Sequence, residues 1–206
     1  MDIKKYITIS EGNSKLGKVA NISLPPIETC MENPPCAKDC YPQIYLNRWP
    51  AISKVYKKNL STYKRDPELY FNCISLGLSK MKPEYFRWHV AGDIPDLHYF
   101  NQMYVMAIVF PEIKFIVFTK KYKFLEYQKF SVKEYATNLT VIQSAWPGLA
   151  LPFIECNHKR ESEFPIAFLE EDTRRHNYLK CDAPCDSCGK CWDLNNLRKN
   201  VCLKRI

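Results

Sequence analysis

Tyr85-Phe-Arg-Trp-His-Val90, running into Ala91-Gly92-Asp93, decides the architecture. Aromatic and β-branched residues at this density read as a buried strand, and the small and acidic residues behind them as its tip. The pattern repeats downstream. Asp96 to Phe110 has helical spacing and stops at Pro111; Lys114-Phe-Ile-Val-Phe118 is the next strand, ending at Thr119-Lys120-Lys121. After a shorter charged helix comes Leu139-Thr-Val-Ile142, ending at Gln143-Ser144, and then Pro165-Ile-Ala-Phe-Leu169, ending at Glu170-Glu171-Asp172. Strand then helix, repeated, predicts an α/β fold, a partial (β/α) barrel of parallel strands. Such folds gather their sites at the C-terminal strand ends. Gly92, Asp93, Thr119, Lys120, Gln143, Ser144 and Glu170 are therefore expected around one rim.

Upstream, residues 5–9 and 18–24 are strand-like, joined by the turn Glu-Gly-Asn-Ser-Lys-Leu-Gly-Lys18. A plain hairpin connection is favoured there over a phosphate contact through Asn13 and Lys15. From Tyr41 to Lys82 the spacing is helical, with Ile44, Trp49, Ile52, Val55, Tyr56 and Leu60 on one face and the lysines elsewhere. Asp66-Pro67 starts a second helix that runs to about Met81. Cys73 lies among its apolar residues and reads as a core thiol.

Between the N-terminal strand and the first helix lies Cys30-Met-Glu-Asn-Pro-Pro-Cys36-Ala-Lys-Asp-Cys40-Tyr41. Three thiols in one strand-following loop, with no fourth nearby, point to a shared metal centre with an open position, because a closed structural site takes four ligands. A cubane iron–sulfur cluster held by three thiolates likewise leaves one iron free. The C-terminal stretch packs Cys181, Cys185, Cys188 and Cys191 together, a spacing that suits one closed centre, ferredoxin-type iron–sulfur ahead of zinc. Cys202 is a substitute ligand for that group, and Cys156 is either a free thiol or a ligand. The chain thus divides into residues 1–178, the barrel with its cysteine loop, and residues 179–206, the cysteine-rich segment.

With 206 residues, 46% of them hydrophobic and 14% aromatic, the chain can bury a real core, which excludes disorder. The net charge of +8 favours an anionic partner, nucleic acid included, although scattered lysines also make an ordinary solvated surface. No targeting segment and no apolar run of about eighteen residues occurs, so no membrane partner and a cytoplasmic location are expected, with the ten cysteines read as ligands or free thiols before disulfides. His89, just before a strand tip, reads as a half-buried core histidine ahead of a ligand contact.

The Leu-Pro-Pro and Thr-Cys of residues 24–30, the Cys-x-x-x-Cys-Tyr of 36–41, the Phe-Arg-Trp-His-Val-x-Gly-Asp of 86–93 and the Cys-x-x-Cys-Gly-x-Cys-Trp of 185–192 resemble the phage gene product eighty-eight family over nearly the full length. More broadly, the chain resembles the radical S-adenosylmethionine (SAM) superfamily. That resemblance implies a [4Fe-4S] cluster on Cys30, Cys36 and Cys40, with Tyr41 packed beside it. It also implies SAM chelated to the open iron, with Gly92 and Asp93 in the place of a Gly-Gly-Glu tip that receives the SAM amine. His89, Thr119, Lys120 and Gln143 complete the expected cofactor-binding set. The spacing differs from the usual one: C-x5-C-x3-C in place of C-x3-C-x2-C. The reading implied is a small enzyme that cleaves SAM reductively, served by an electron donor and a second, auxiliary cluster or zinc near the C-terminus. Its alternatives are an iron–sulfur electron-transfer or redox-sensing protein that never binds SAM, and a zinc-stabilised nucleic-acid-binding protein.

Overall fold

A computed structural model describes residues 1–127, 136–151, 164–175 and 177–203. Cys156 lies outside these residues. The expected α/β alternation is present: β1 (Ala20–Ile22), helices α1 (Tyr41–Arg48), α2 (Pro50–Arg65) and α3 (Pro67–Met81), β2 (Tyr85–Trp88), α4 (Leu97–Val109), β3 (Lys114–Thr119), α5 (Lys123–Tyr127), β4 (Leu139–Ser144) and β5 (Ile166–Leu169). Then follow β6 (Tyr178–Lys180), α6 (Cys185–Cys188), α7 (Leu194–Leu197) and β7 (Asn200–Leu203). Among the described residues, seven strands form one parallel sheet in the order β1-β2-β3-β4-β5-β7-β6. The first five strands lie side by side in chain order. Strand β7 inserts between β5 and β6, so the cysteine-rich segment is built into the sheet.

Side-chain alternation gives the sheet two apolar faces. Phe86, Trp88, Phe115, Val117, Val141, Ile166 and Phe168 point to the helices, where they meet Tyr70, Phe71, Tyr99 and Met103. Ile116, Ile142, Ala167 and Val201 point the other way, and Leu16, Val19, Trp192 and Leu194 cover them. Trp192 is fixed there by its indole N–H on the Phe86 carbonyl (3.4 Å) and by its own carbonyl, which accepts from Thr140 Oγ1 (2.9 Å).

Several local expectations need correction. Residues 5–9 are not a strand: only Ser10 bridges to Asn21, because the Thr8 backbone bonds instead to the buried Asn59 side chain (Thr8 N to Oδ1 2.8 Å; Nδ2 to Thr8 O 3.3 Å). The apolar face assigned across Ile44 to Leu60 splits, since the helix breaks at Trp49-Pro50. Leu60 is buried, but Ile44 and Trp49 are more than half exposed. Cys202 cannot join the other C-terminal cysteines, because Val201 takes that face of β7 and Cys202 the opposite one.

Candidate functional site

The loop after β1 is pinned to the tip of β2 before it delivers its thiols. Ser23 Oγ accepts from the Val90 and Ala91 amides (3.2 and 3.3 Å), and Leu24 N donates to Ala91 O (3.1 Å). Thr29 Oγ1 donates to Pro25 O (2.8 Å) and accepts from Asp93 N (3.1 Å). Gly92, at φ +80°, fits between them: a Cβ would lie 2.6 Å from both Leu24 O and Thr29 Oγ1. The glycine is thus required by the loop's own backbone.

The pinned loop and the strand ends enclose a cavity of about 210 Å³. Cys30, Cys36 and Cys40 all line it, together with Tyr41, Gly92 and Asp93. Cys40 caps α1 through its carbonyl, which accepts from Gln43 N (3.0 Å) and Ile44 N (3.2 Å). Burial pushes Cys30 up to about 11, helped by the Asp93 carboxylate and the neighbouring Cys36 and Cys40; burial also raises Cys40. Burial of Cys30 and Cys40 disfavours their thiolates unless a cationic centre compensates them, as a metal does for its thiolate ligands. Among the described residues no three or more Cys, His, Asp or Glu side chains are placed to hold a metal ion as they stand.

Asp93 faces the cavity but is well occupied. Its oxygens accept from Ile94 N (2.8 Å) and Lys120 N (3.0 Å), and the Thr119 hydroxyl adds a further bond, while burial still raises its pKa. The carboxylate locks the tip of β2 to that of β3. Lys120 lines the cavity, with Nζ on Ser144 Oγ (3.1 Å) and over the Trp146 ring (5.5 Å to its centroid). Tyr41 spans its mouth, donating to Val90 O (3.2 Å).

Strand period 2 explains which expected rim residues are absent. Thr119 and Gln143 are buried off the cavity, with Thr119 bonded to the Lys121 amide and Gln143 Nε2 donating to Phe164 O (3.3 Å). Glu170 is exposed and does not line it either. His89 reaches the cavity wall in a left-handed backbone conformation (φ +56°), its ring against Tyr99 (5.2 Å between centroids) and both ring nitrogens buried without a hydrogen-bond partner. Sequence reading passed over Arg87 and Trp146, which also line the cavity, and gave Lys15 only an outside chance. The signal for Arg87 was a charged residue alternating with buried Phe86 and Trp88, which sends it to the face away from the helices.

The second cysteine group lies behind this cavity. Cys181, Cys185, Cys188 and Cys191 together line a separate recess of about 20 Å³ on the Trp192 side of the sheet. Burial pushes Cys191 up to about 12, with Cys181 and Cys185 adding to it. The recess is held shut by the N-terminal turn: Asp186 N donates to Leu16 O (3.0 Å), and its carboxylate accepts from Lys18 N (2.8 Å) against Gly17.

Fold and site together define an α/β protein with a parallel sheet and a thiol-lined cavity at the C-terminal strand ends. The family model described as Gene product 88 matches residues 4–194, and the chain belongs to that family. No curated protein and no solved structure matches the chain. Among the described residues, no helix is long and apolar enough to cross a membrane.

Proposed function

We propose that the protein is an iron–sulfur protein built on a radical-SAM-like partial barrel, with Cys30, Cys36 and Cys40 holding one [4Fe-4S] cluster at the cavity mouth. The observation that carries this reading is that all three thiols of one loop line a single cavity that contains no other cysteine among the described residues. The thiols are not placed for one ion, and a cubane does not require that, since each ligand binds a different iron. When bound, the cluster would supply an electron for reductive cleavage of SAM. The protein's own part is to position and to exclude water. The Pro-rich loop and Tyr41 cover the mouth. Asp93, buried and fixed by two amides, offers its remaining acceptor capacity to a cationic amine.

For the C-terminal four cysteines, a recess of about 20 Å³ has room for one ion and none for a cubane unless the segment opens. Zinc therefore stands level with a second cluster there, and loading of either is coupled to local folding.

Anaerobic purification tests the main reading. The wild-type chain is expected to be brown, and replacing Cys30, Cys36 and Cys40 together by Ala should remove about four irons per chain, the content of one cubane. Unchanged iron would exclude the loop as its site. A reduced-cluster EPR signal perturbed by added SAM separates an enzyme of this type from an electron carrier, in which the signal would stay as it was.

A further inference from the structure

We propose that Lys15 and Arg87 form an anion-binding subsite in the wall of the cavity, so that the ligand taken there carries a carboxylate or phosphate group. Lys15 comes from the turn before β1 and Arg87 from the middle of β2; both line the cavity, Lys15 beside Tyr41 at the end of the cysteine loop. The guanidinium lies over the Phe118 ring (4.6 Å to the centroid) and the Lys15 ammonium over that of Tyr41 (5.8 Å). Among the described residues no carboxylate forms an ion pair with either, and Arg87 Nε is buried with no hydrogen-bond partner. Their charges are close enough to oppose each other: burial and then Arg87 lower the pKa of Lys15. Lys120, the third cation of the cavity, already has the Asp93 carboxylate near it.

Two uncompensated cations in a largely apolar cavity are costly unless something brings negative charge to them. Two sources of that charge lie within reach. One is a ligand in the cavity, where a planar guanidinium and an ammonium can both donate to an oxyanion. The other is the C-terminal cysteine group, since Arg87 and Lys15 also lie near Cys185. The placement favours the ligand: both cations line the cavity, against the Phe118 and Tyr41 rings, and neither lines the cysteine recess. The subsite needs no iron and stands apart from what the thiols hold.

Phenyl phosphate, benzoate and the neutral benzyl alcohol, titrated calorimetrically into the full-length protein, test this. The two anions are expected to bind and benzyl alcohol not to, with affinity falling as salt rises; the stronger anion identifies phosphate or carboxylate as the better fit. Arg87→Met and Lys15→Met keep the apolar stems, and each should weaken the favoured anion at least about tenfold, the value of one charge-assisted hydrogen bond. Iron and zinc are measured on the same samples. Anions that bind no better than benzyl alcohol overturn the proposal. So do variants that keep anion affinity but lose metal, which assigns the cations to the cysteine centre. If Arg87→Met does not fold, Lys15→Met decides alone, and a wild-type protein without iron sinks the cluster reading while leaving this test intact.

Discussion

His89 is held where a histidine is costly. It is fully buried in a left-handed conformation with neither ring nitrogen bonded, and burial, with Lys121 and Arg87 nearby, pushes its pKa down to about 3. An unfolded histidine titrates near 6.5, so its contribution to stability is complete above that pH and is lost as pH falls from about 6.5 toward 3, where only the unfolded chain takes up the proton. Between pH 7 and 4.5 this amounts to about 2–3 kcal/mol. His89→Asn, which tolerates the left-handed backbone, should lose correspondingly less stability over that interval in urea melts. Equal losses in variant and wild type would show that His89 is not the titrating group. Gly92 is the second constrained position. Gly92→Ala combines a positive φ with contacts at 2.6 Å and should cost at least about 2 kcal/mol, read as a lower denaturation midpoint. A neutral substitution would mean that the loop and the β2 tip are not locked as described. That Gly92 and Asp93 form the tip of β2 was legible in the sequence; the contacts that lock them there were not. The partners that claim them, Leu24 O, Thr29 and the Lys120 amide, are brought in by tertiary structure.

Strands β2 to β5 were legible because each is an apolar run with a polar tip, and α3 and α4 because Asp66 and Asp96 cap them, accepting from Leu69 N (2.9 Å) and Tyr99 N (2.8 Å). Strands β6 and β7 were not, since they are short and flank a cysteine run that carries no apolar periodicity. The cysteine segment between them makes little regular structure, with α6 and α7 only four residues each. Its order is therefore expected to depend on what the thiols bind. Cys185→Ser, or treatment with a chelator to strip any metal the four thiols hold, should lower the melting temperature by roughly 5–10 °C, as a loss of about 2–3 kcal/mol would in a domain of this size. A Cys185→Ser protein with unchanged metal content and unchanged melting would show that no centre holds the segment.

At the scale of the molecule, the sheet separates two environments. Helices α2 to α4 with the aromatic cluster of Tyr63, Tyr70, Phe71, Trp88 and Tyr99 fill one side. The other side carries the cavity, with Lys15 and Arg87 in its lining, and the C-terminal recess. The sequence indicated that both cysteine groups were special. It did not indicate that they share a face, because that depends on a turn near the N-terminus clasping Asp186 across the sheet.

The placement of β7 also bears on how the chain is made. Strands β1 to β5 can each dock on the strand synthesised before, as the ribosome releases them. Strand β5 then waits with an open edge, because its neighbour is not the next strand, β6, but β7, at residues 200–203. Until those residues emerge, a hydrogen-bonding edge lies open to any other nascent chain. Closure by the late strand covers it. Two molecules caught at that stage have an obvious route to exchange β7, and a domain-swapped dimer is the misassembly this topology invites.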